Sequence, residues 1–321
     1  MDPLSHIVAG RTVTALFDNG QHGPGLGAAA ILGALAPDVD LVLVPAGWDV
    51  YLRAHQAGTH SMAGGVLVAL ASACIVRGLS RDSRYAPLAA AAAASAMSHL
   101  ALDVLSGARV RLAWPMADAP VSVPLVAMAD PWLVSIFAIG LLALWPGRLR
   151  LRTIAPAVLG AAVAFLCVKG AFLDRALRGF PGDPSSPRAV EARWGSLTEW
   201  DVFERTPAAL RVWRVSSRGG PAAERLSQPI LPESRLVTAS RSLDTVRNFL
   251  RAHEFGFPVE AAGGDGTTAV RWSDLHYCRP AAHAGDAVAC GLWAGGVFGP
   301  DGRALNQVVT VGAWTQTRAV P

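Results

Sequence analysis

Hydrophobic positions crowd the first half of the chain and alternate with polar ones in the second, with the change near residue 175. Residues 24 to 36 are small and apolar, Pro37-Asp38-Val39-Asp40 interrupts them, and Leu41 to Val44 resume the run, which predicts a broken or re-entrant helix. Residues 61 to 79 and 86 to 105 approach the ~20 residues needed to cross the hydrocarbon core. Asp130-Pro131 opens a further helix with a capping carboxylate and proline at the first helical position, followed by a short apolar run over 132 to 146. Residues 153 to 173 form the last span, with Lys169 near its end expected to snorkel to the interface. Residues 3 to 17 suit a short interfacial or re-entrant helix, because Arg11 disfavours a crossing. The pattern therefore predicts an α-helical integral-membrane domain of about five helical segments over residues 1 to 175.

Residues 176 to 200 are rich in proline, glycine and arginine and read as a surface linker. Residues 201 to 321 read as a small soluble α+β domain with a mainly antiparallel sheet and one covering helix. Alternation from Leu210 to Val215 marks a half-buried strand, and residues 269 to 275, 290 to 298 and 306 to 315 mark others. Ser242 is expected to cap a helix running to His253, and Gly299-Pro300-Asp301-Gly302 to form a turn.

Composition supports the division. The chain is 52% hydrophobic and 16% charged, too apolar for an ordinary soluble protein of 321 residues. Its net charge of +4 comes mainly from arginines beside apolar segments, and no basic, aromatic-interleaved stripe points to nucleic acid. The start lacks the basic and apolar regions of a cleavable signal, so export is expected to use internal helices. Arg77, Arg81 and Arg84 against Asp82 follow the second span, and Arg148, Arg150 and Arg152 follow the fourth, which places both connections in the cytoplasm. Everything after residue 175 is then non-cytoplasmic. Cys74 and Cys167 lie in apolar runs and read as buried small side chains, whereas Cys278 and Cys290 are open to either a disulfide or two free thiols.

That orientation carries a chemical consequence. Asp38 and Asp40 fall at the outer end of the first span, His55 and His60 at the outer start of the second, and His99 and Asp103 at the outer end of the third. His99 and Asp103 are one helical turn apart on one face, and His6 can join them if its segment is re-entrant. Imidazole and carboxylate make a site for a divalent metal, zinc first, with manganese or iron as alternatives. Such a site hydrolyses esters or phosphoesters with a metal-activated water. Each residue also has a plainer role as a turn, cap or satisfied core side chain, and an ion or proton pathway uses the same residue types. His276, His283, Asp274 and Asp286 in the second half read as polar surface or as the lining of a substrate path.

Several segments match a family pattern in order: Pro3-Leu4-Ser5-His6, Leu35-Ala36-Pro37-Asp38-Val39-Asp40, His55 with Gly58-Thr59-His60-Ser61, Ser98-His99-Leu100-Ala101-Leu102-Asp103 and Leu112-Ala113-Trp114-Pro115. The chain resembles the LexA-binding, inner membrane-associated hydrolase family, also called YdjM-like or membrane-bound metal-dependent hydrolases. The match is specific over residues 3 to 132 and fainter in the tail, where His276 stands at a position commonly arginine. The resemblance implies a multi-pass protein of the bacterial inner membrane. Its metal would be held by His6, Asp38, Asp40, His60, His99 and Asp103, with His55 and Asp40 in acid/base or supporting roles. Membrane lipid and a small-molecule or lipid-linked ester are the expected partners. The alternative is a non-enzymatic membrane protein whose polar cluster fixes helix packing and whose tail binds partners.

Overall fold

The computed structural model describes residues 2–18, 25–55, 57–80, 84–142, 151–183, 185–280 and 288–320. Helix α1 (Pro3–Ala15) is capped by Asp2, whose Oδ1 accepts from the Ser5 amide at 3.0 Å, with Pro3 in the first turn. Helix α2 (Gly25–Leu35) gives way at Pro37 to a 3₁₀ segment (Ala36–Ala46). Proline lacks the amide that would continue the α-helical ladder, so the interrupted apolar run rewinds instead of crossing as one helix. A short helix α3 (Trp48–His55) and a 3₁₀ turn (Gly58–His60) lead into α4 (Met62–Leu79), where Ser61 Oγ accepts from the Gly64 amide at 3.0 Å. Then come α5 (Tyr85–Leu105), α6 (Pro131–Leu142) and α7 (Leu151–Arg178). Asp130 caps α6, with Oδ1 accepting from the amides of Trp132 and Leu133 at 3.0 and 3.1 Å.

Among the described residues, four segments are long and apolar enough to cross a membrane: Gly25–Ala46, Met62–Leu79, Tyr85–Leu105 and Arg152–Arg178. Helix α5 is the centre, packed by α1, α2 and α4. Leu26 and Ala29 of α2 pack in one buried cluster with Leu88, Ala91, Ala92 and Ala96 of α5, the four alanines fully buried. Small residues are what lipid-embedded helices need, since close backbone approach supplies the packing that apolar lipid cannot drive. Cys74 and Cys167, expected to be buried, are exposed on α4 and α7. An apolar run does not distinguish a face turned to lipid from one turned to protein.

The second half is larger than a single sheet with one helix. Strands β1 (Arg188–Ala192), β2 (Glu199–Arg205), β3 (Ala209–Ser216) and β4 (Ala223–Pro229) form an antiparallel meander in the order β1-β2-β3-β4. Strand β1 therefore lies within the stretch read as a linker. Helices α8 (Arg235–Ser240) and α9 (Asp244–Ala252) follow, then β5 (Gly256–Ala262), β6 (Thr268–Asp274), β7 (Cys278–Pro280), β8 (Val288–Cys290), β9 (Leu292–Phe298), β10 (Ala304–Val311) and β11 (Trp314–Ala319). The larger sheet has the order β11-β10-β9-β6-β5 and is antiparallel throughout. The expected single strand over 306–315 is a hairpin, because Gly312 takes a positive φ of 58° that turns the chain. Ser242 does not cap α9, which begins at Asp244; its hydroxyl donates to the Ala239 carbonyl, and the cap belongs to Ser234 at the start of α8. Gly302 donates to the Gly299 carbonyl and closes the expected turn. Cys278 and Cys290 are joined by a disulfide across β7 and β8.

The two halves are joined by specific contacts. Lys169 does not reach an interface: it is buried, donates to the Ser196 carbonyl at 3.0 Å and lies over the Trp200 ring. A buried ammonium stays only where carbonyl and ring faces replace water; the β1–β2 connection brings the first and β2 the second. The Trp200 indole donates to the Pro124 carbonyl, and that of Trp132 to the Gly195 carbonyl, each at 3.1 Å. The end of α7, through Leu173 and Ala176, packs on Trp200, Val202 and Val215 of the four-stranded sheet.

Candidate metal centre

At the end of the helical bundle that faces the second half, five elements bring their polar side chains to one place. Helix α1 contributes His6, the 3₁₀ segment Asp38 and Asp40, α3 its last residue His55, the following turn His60, and α5 the pair His99 and Asp103. Three overlapping groups of these residues lie close enough to hold an ion: His6, His99 and Asp103; Asp38, His60 and His99; Asp40, His55 and His60. His6, His60 and His99 are 0 to 2% exposed, and Asp40 and Asp103 are each 5% exposed.

The orientation of His99 follows from one contact. Its Nδ1 lies 2.7 Å from the Ala34 carbonyl, and a carbonyl only accepts, so Nδ1 carries a proton and Nε2 is the ring nitrogen turned to the cluster. From Nε2 the distances are 3.1 Å to Asp103 Oδ2, 3.3 Å to His60 Nε2 and 3.8 Å to Asp38 Oδ1. His60 Nε2 lies 3.5 Å from Asp38 Oδ1 and 3.6 Å from Asp103 Oδ2. A tetrahedral ion with ligand bonds of about 2.0–2.1 Å separates its ligand atoms by about 3.3–3.4 Å; the Asp38, His60 and His99 triad, at 3.3 to 3.8 Å, is close to that size, and Asp103 adjoins both of its histidines.

The remaining side chains surround that set. His6 stacks on His99 with ring centroids 3.6 Å apart and directs Nε2 at Asp103 Oδ1, 3.4 Å away. Neither ring nitrogen of His6 makes a hydrogen bond among the described residues, an uncommon state for a fully buried imidazole and one that suits a metal ligand. Asp103 thus offers one oxygen to His6 and the other to His60 and His99, the disposition of a bridging carboxylate. On the other side, Asp40 Oδ2 lies 3.5 Å from His60 Nδ1, 3.1 Å from His55 Nδ1 and 3.2 Å from the Thr59 hydroxyl. Burial opposes charge on His60, yet hydrogen bonds to Asp38 and Asp40 push its pKa up to about 9. Surroundings that favour a protonated imidazole this strongly favour any cation placed among the same carboxylates.

Sequence reasoning missed the backing of His55. Trp48, Tyr51 and His55 form a file of rings, with centroids 4.9 and 4.6 Å apart, and His55 meets His60 edge-on at 4.3 Å. Their spacing of three and four residues along one helix was the available signal.

Asp274 and His276 are not polar surface. Asp274 is 1% exposed, and His276 lies against the rings of Phe203 and Phe255. They form a separate group with His253 and Glu191, whereas His283 and Asp286 lie outside the described residues. Burial lowers the His253 pKa to about 4. Burial also works against charge on His276, but its hydrogen bond to Asp274 outweighs it and raises the pKa. The two act in opposite directions on stability. A depressed His253 stabilises the fold above about pH 6.5, an effect lost as pH falls towards 4; a raised His276 stabilises below about 6.5, and that is lost as pH rises through its folded value. Thermal unfolding of the full chain against pH is expected to lose its acid-side slope in His253→Gln and its neutral-to-alkaline slope in His276→Gln. Equal slopes in both variants and the parent would refute the assignment.

Fold and site together define a class: a multi-pass helical membrane protein with a buried histidine–aspartate cluster at one end of its bundle. The chain belongs to the YdjM inner membrane protein family, whose profile matches residues 1–176. No curated protein and no solved structure matches the chain.

Proposed function

We propose that this protein is a membrane-bound, metal-dependent hydrolase of an ester or phosphoester, with a lipid-linked compound as its substrate. The observation that carries the reading is the set of five ligand-to-ligand distances, 3.1 to 3.8 Å, among Asp38, His60, His99 and Asp103. Those four residues would hold a divalent ion, zinc first, with His6 on the second oxygen of Asp103. A bound ion of this kind acidifies a water to near neutrality and offsets negative charge building on the substrate.

The other residues have defined tasks. Asp40 orients His60 through Nδ1 and leaves Nε2 for the ion, as carboxylates behind metal-bound histidines commonly do. His55 is only part-buried and hydrogen-bonded to Asp40, which suits it to pass a proton between that carboxylate and the substrate side. Met62, exposed at the start of α4 two residues after His60, suits a substrate that arrives with an acyl or prenyl chain. Placement of the centre and the second half on the non-cytoplasmic side is supported by the arginines after the second and fourth spans and by the Cys278–Cys290 disulfide.

The test uses full-length protein purified in detergent. Metal analysis is expected to find at least one zinc, manganese or iron per chain, and a panel of chromogenic esters and phosphoesters to show turnover that chelation removes and the metal restores. A preparation that folds, contains no bound metal after incubation with each ion and turns over nothing would reject the reading.

A further inference from the structure

The family match ends at residue 176, yet the second half grips the one helix that carries His55. Helix α3 has only 8 residues, too few to hold a fixed direction alone, and it lies between Gly47 and Gly58. Its N-terminal Asp49 is 1% exposed and sits between two residues of the second half: it accepts from the Arg318 guanidinium of β11 and from the Asn248 amide of α9, the latter at 3.0 Å. Trp48 packs on the core that α8 and α9 make with the larger sheet. Gly47 has a φ of 143°, and a Cβ there would lie 1.7 Å from the Arg318 guanidinium, so the chain passes directly beneath it.

The ring file from Trp48 through Tyr51 to His55 then runs from this anchorage to the centre. At its end His55 meets Asp40, and Asp40 meets His60 Nδ1, at 3.1 and 3.5 Å.

We infer that the second half completes the metal centre from outside: Arg318 and Asn248 clamp Asp49, and the clamped α3 sets His55 against Asp40 so that His60 is held for the ion. Arg318, Asn248, Asp49, Trp48 and Tyr51 are thus positioning residues that touch neither ion nor substrate. A buried carboxylate deprived of its cation is strongly unfavourable, so Asp49 cannot stay in place once Arg318 is gone. Helix α3 then turns, and the support of His60 goes with it.

The inference rests on the metal-centre reading, and the experiment separates the two. Co²⁺ is titrated into the full chain in detergent, following its visible absorption, for the parent, Arg318→Ala, Arg318→Lys, Asn248→Ala and, as a control at an exposed ion pair, Arg303→Ala. The expected result is a 10- to 100-fold weaker Co²⁺ affinity and a changed spectrum in Arg318→Ala, the range that loss of outer support costs other metal sites. A smaller change in the same direction is expected for Asn248→Ala, recovery for Arg318→Lys and none for Arg303→Ala. If the parent binds Co²⁺ and Arg318→Ala and Asn248→Ala bind it with the parent's affinity and spectrum, or only unfold at lower temperature, the clamp has no bearing on the centre. Should Arg318→Ala not fold, Asn248→Ala decides alone, since it keeps the ion pair. A parent that binds no Co²⁺ defeats the metal reading itself, and the clamp with it.

Discussion

His99→Ala is expected to leave the protein folded but nearly free of metal, with affinity reduced at least about 10³-fold, beyond the roughly 10- to 100-fold attributed to loss of a supporting residue. His99 takes part in three of the five distances that define the centre, and its tautomer is set by the Ala34 carbonyl. Alanine removes the ring nitrogen that Asp38 and Asp103 both approach, at 3.8 and 3.1 Å. His99→Gln is the informative companion, because an amide can still donate to Ala34 while offering only a weak oxygen to an ion. Metal content, Co²⁺ spectrum and unfolding temperature on the same samples separate the cases. Both variants are expected to lose the metal, and the glutamine variant to keep more of the stability. Retention of parent-like metal content by His99→Ala would remove α5 from the centre.

The membrane half of this arrangement was legible because its chemistry is local. His99 and Asp103 are one turn apart, Pro37 announces a break in winding, and the polar residues at the ends of three spans stand next to those spans in the chain. Each inference uses neighbours in the chain. The role of Lys169 was not legible for the opposite reason: a lysine near the end of an apolar span has a satisfactory default at the interface, and only the arrival of Ser196 and Trp200 from another element replaces it.

The second half shows the same limit. Alternation found the half-buried β3 and β6, but β4 is largely exposed and β1 part-buried, so neither carries a clean period of two. The hairpin of β10 and β11 hid as one strand because valine and threonine continue close to Gly312 on both sides. Most consequential is Asp49, an acid near the start of a short helix with nothing in its local sequence to mark it. Its partners lie 199 and 269 residues away, and no local pattern reports a contact at that separation.

Gly33→Leu is expected to be the most damaging single change in the helical half, because it attacks the contact on which the centre's geometry depends. A Cβ at position 33 would lie 2.3 Å from the Ala92 carbonyl oxygen and 2.5 Å from the Ala92 Cα, and backbone atoms cannot move aside as a side-chain tip can. Helix α2 must then withdraw from α5. Withdrawal opens the alanine interface and draws the Ala34 carbonyl away from His99, one residue along from the substitution. Overpacking of this kind costs about 1–3 kcal/mol in cores that can yield, and more is expected where both sides are backbone. The glycine at 160 is the counter-test: a Cβ there meets nothing within 4 Å. Gly160→Ala is expected to be neutral or to stabilise by up to about 1 kcal/mol, through helix propensity alone. Unfolding temperature in detergent and metal content, measured for Gly33→Ala, Gly33→Leu and Gly160→Ala, form the experiment. The first two should fall in that order in both readings and the third in neither; a Gly33→Leu protein that keeps its melting temperature and its metal would show that α2 and α5 do not need this approach to build the site.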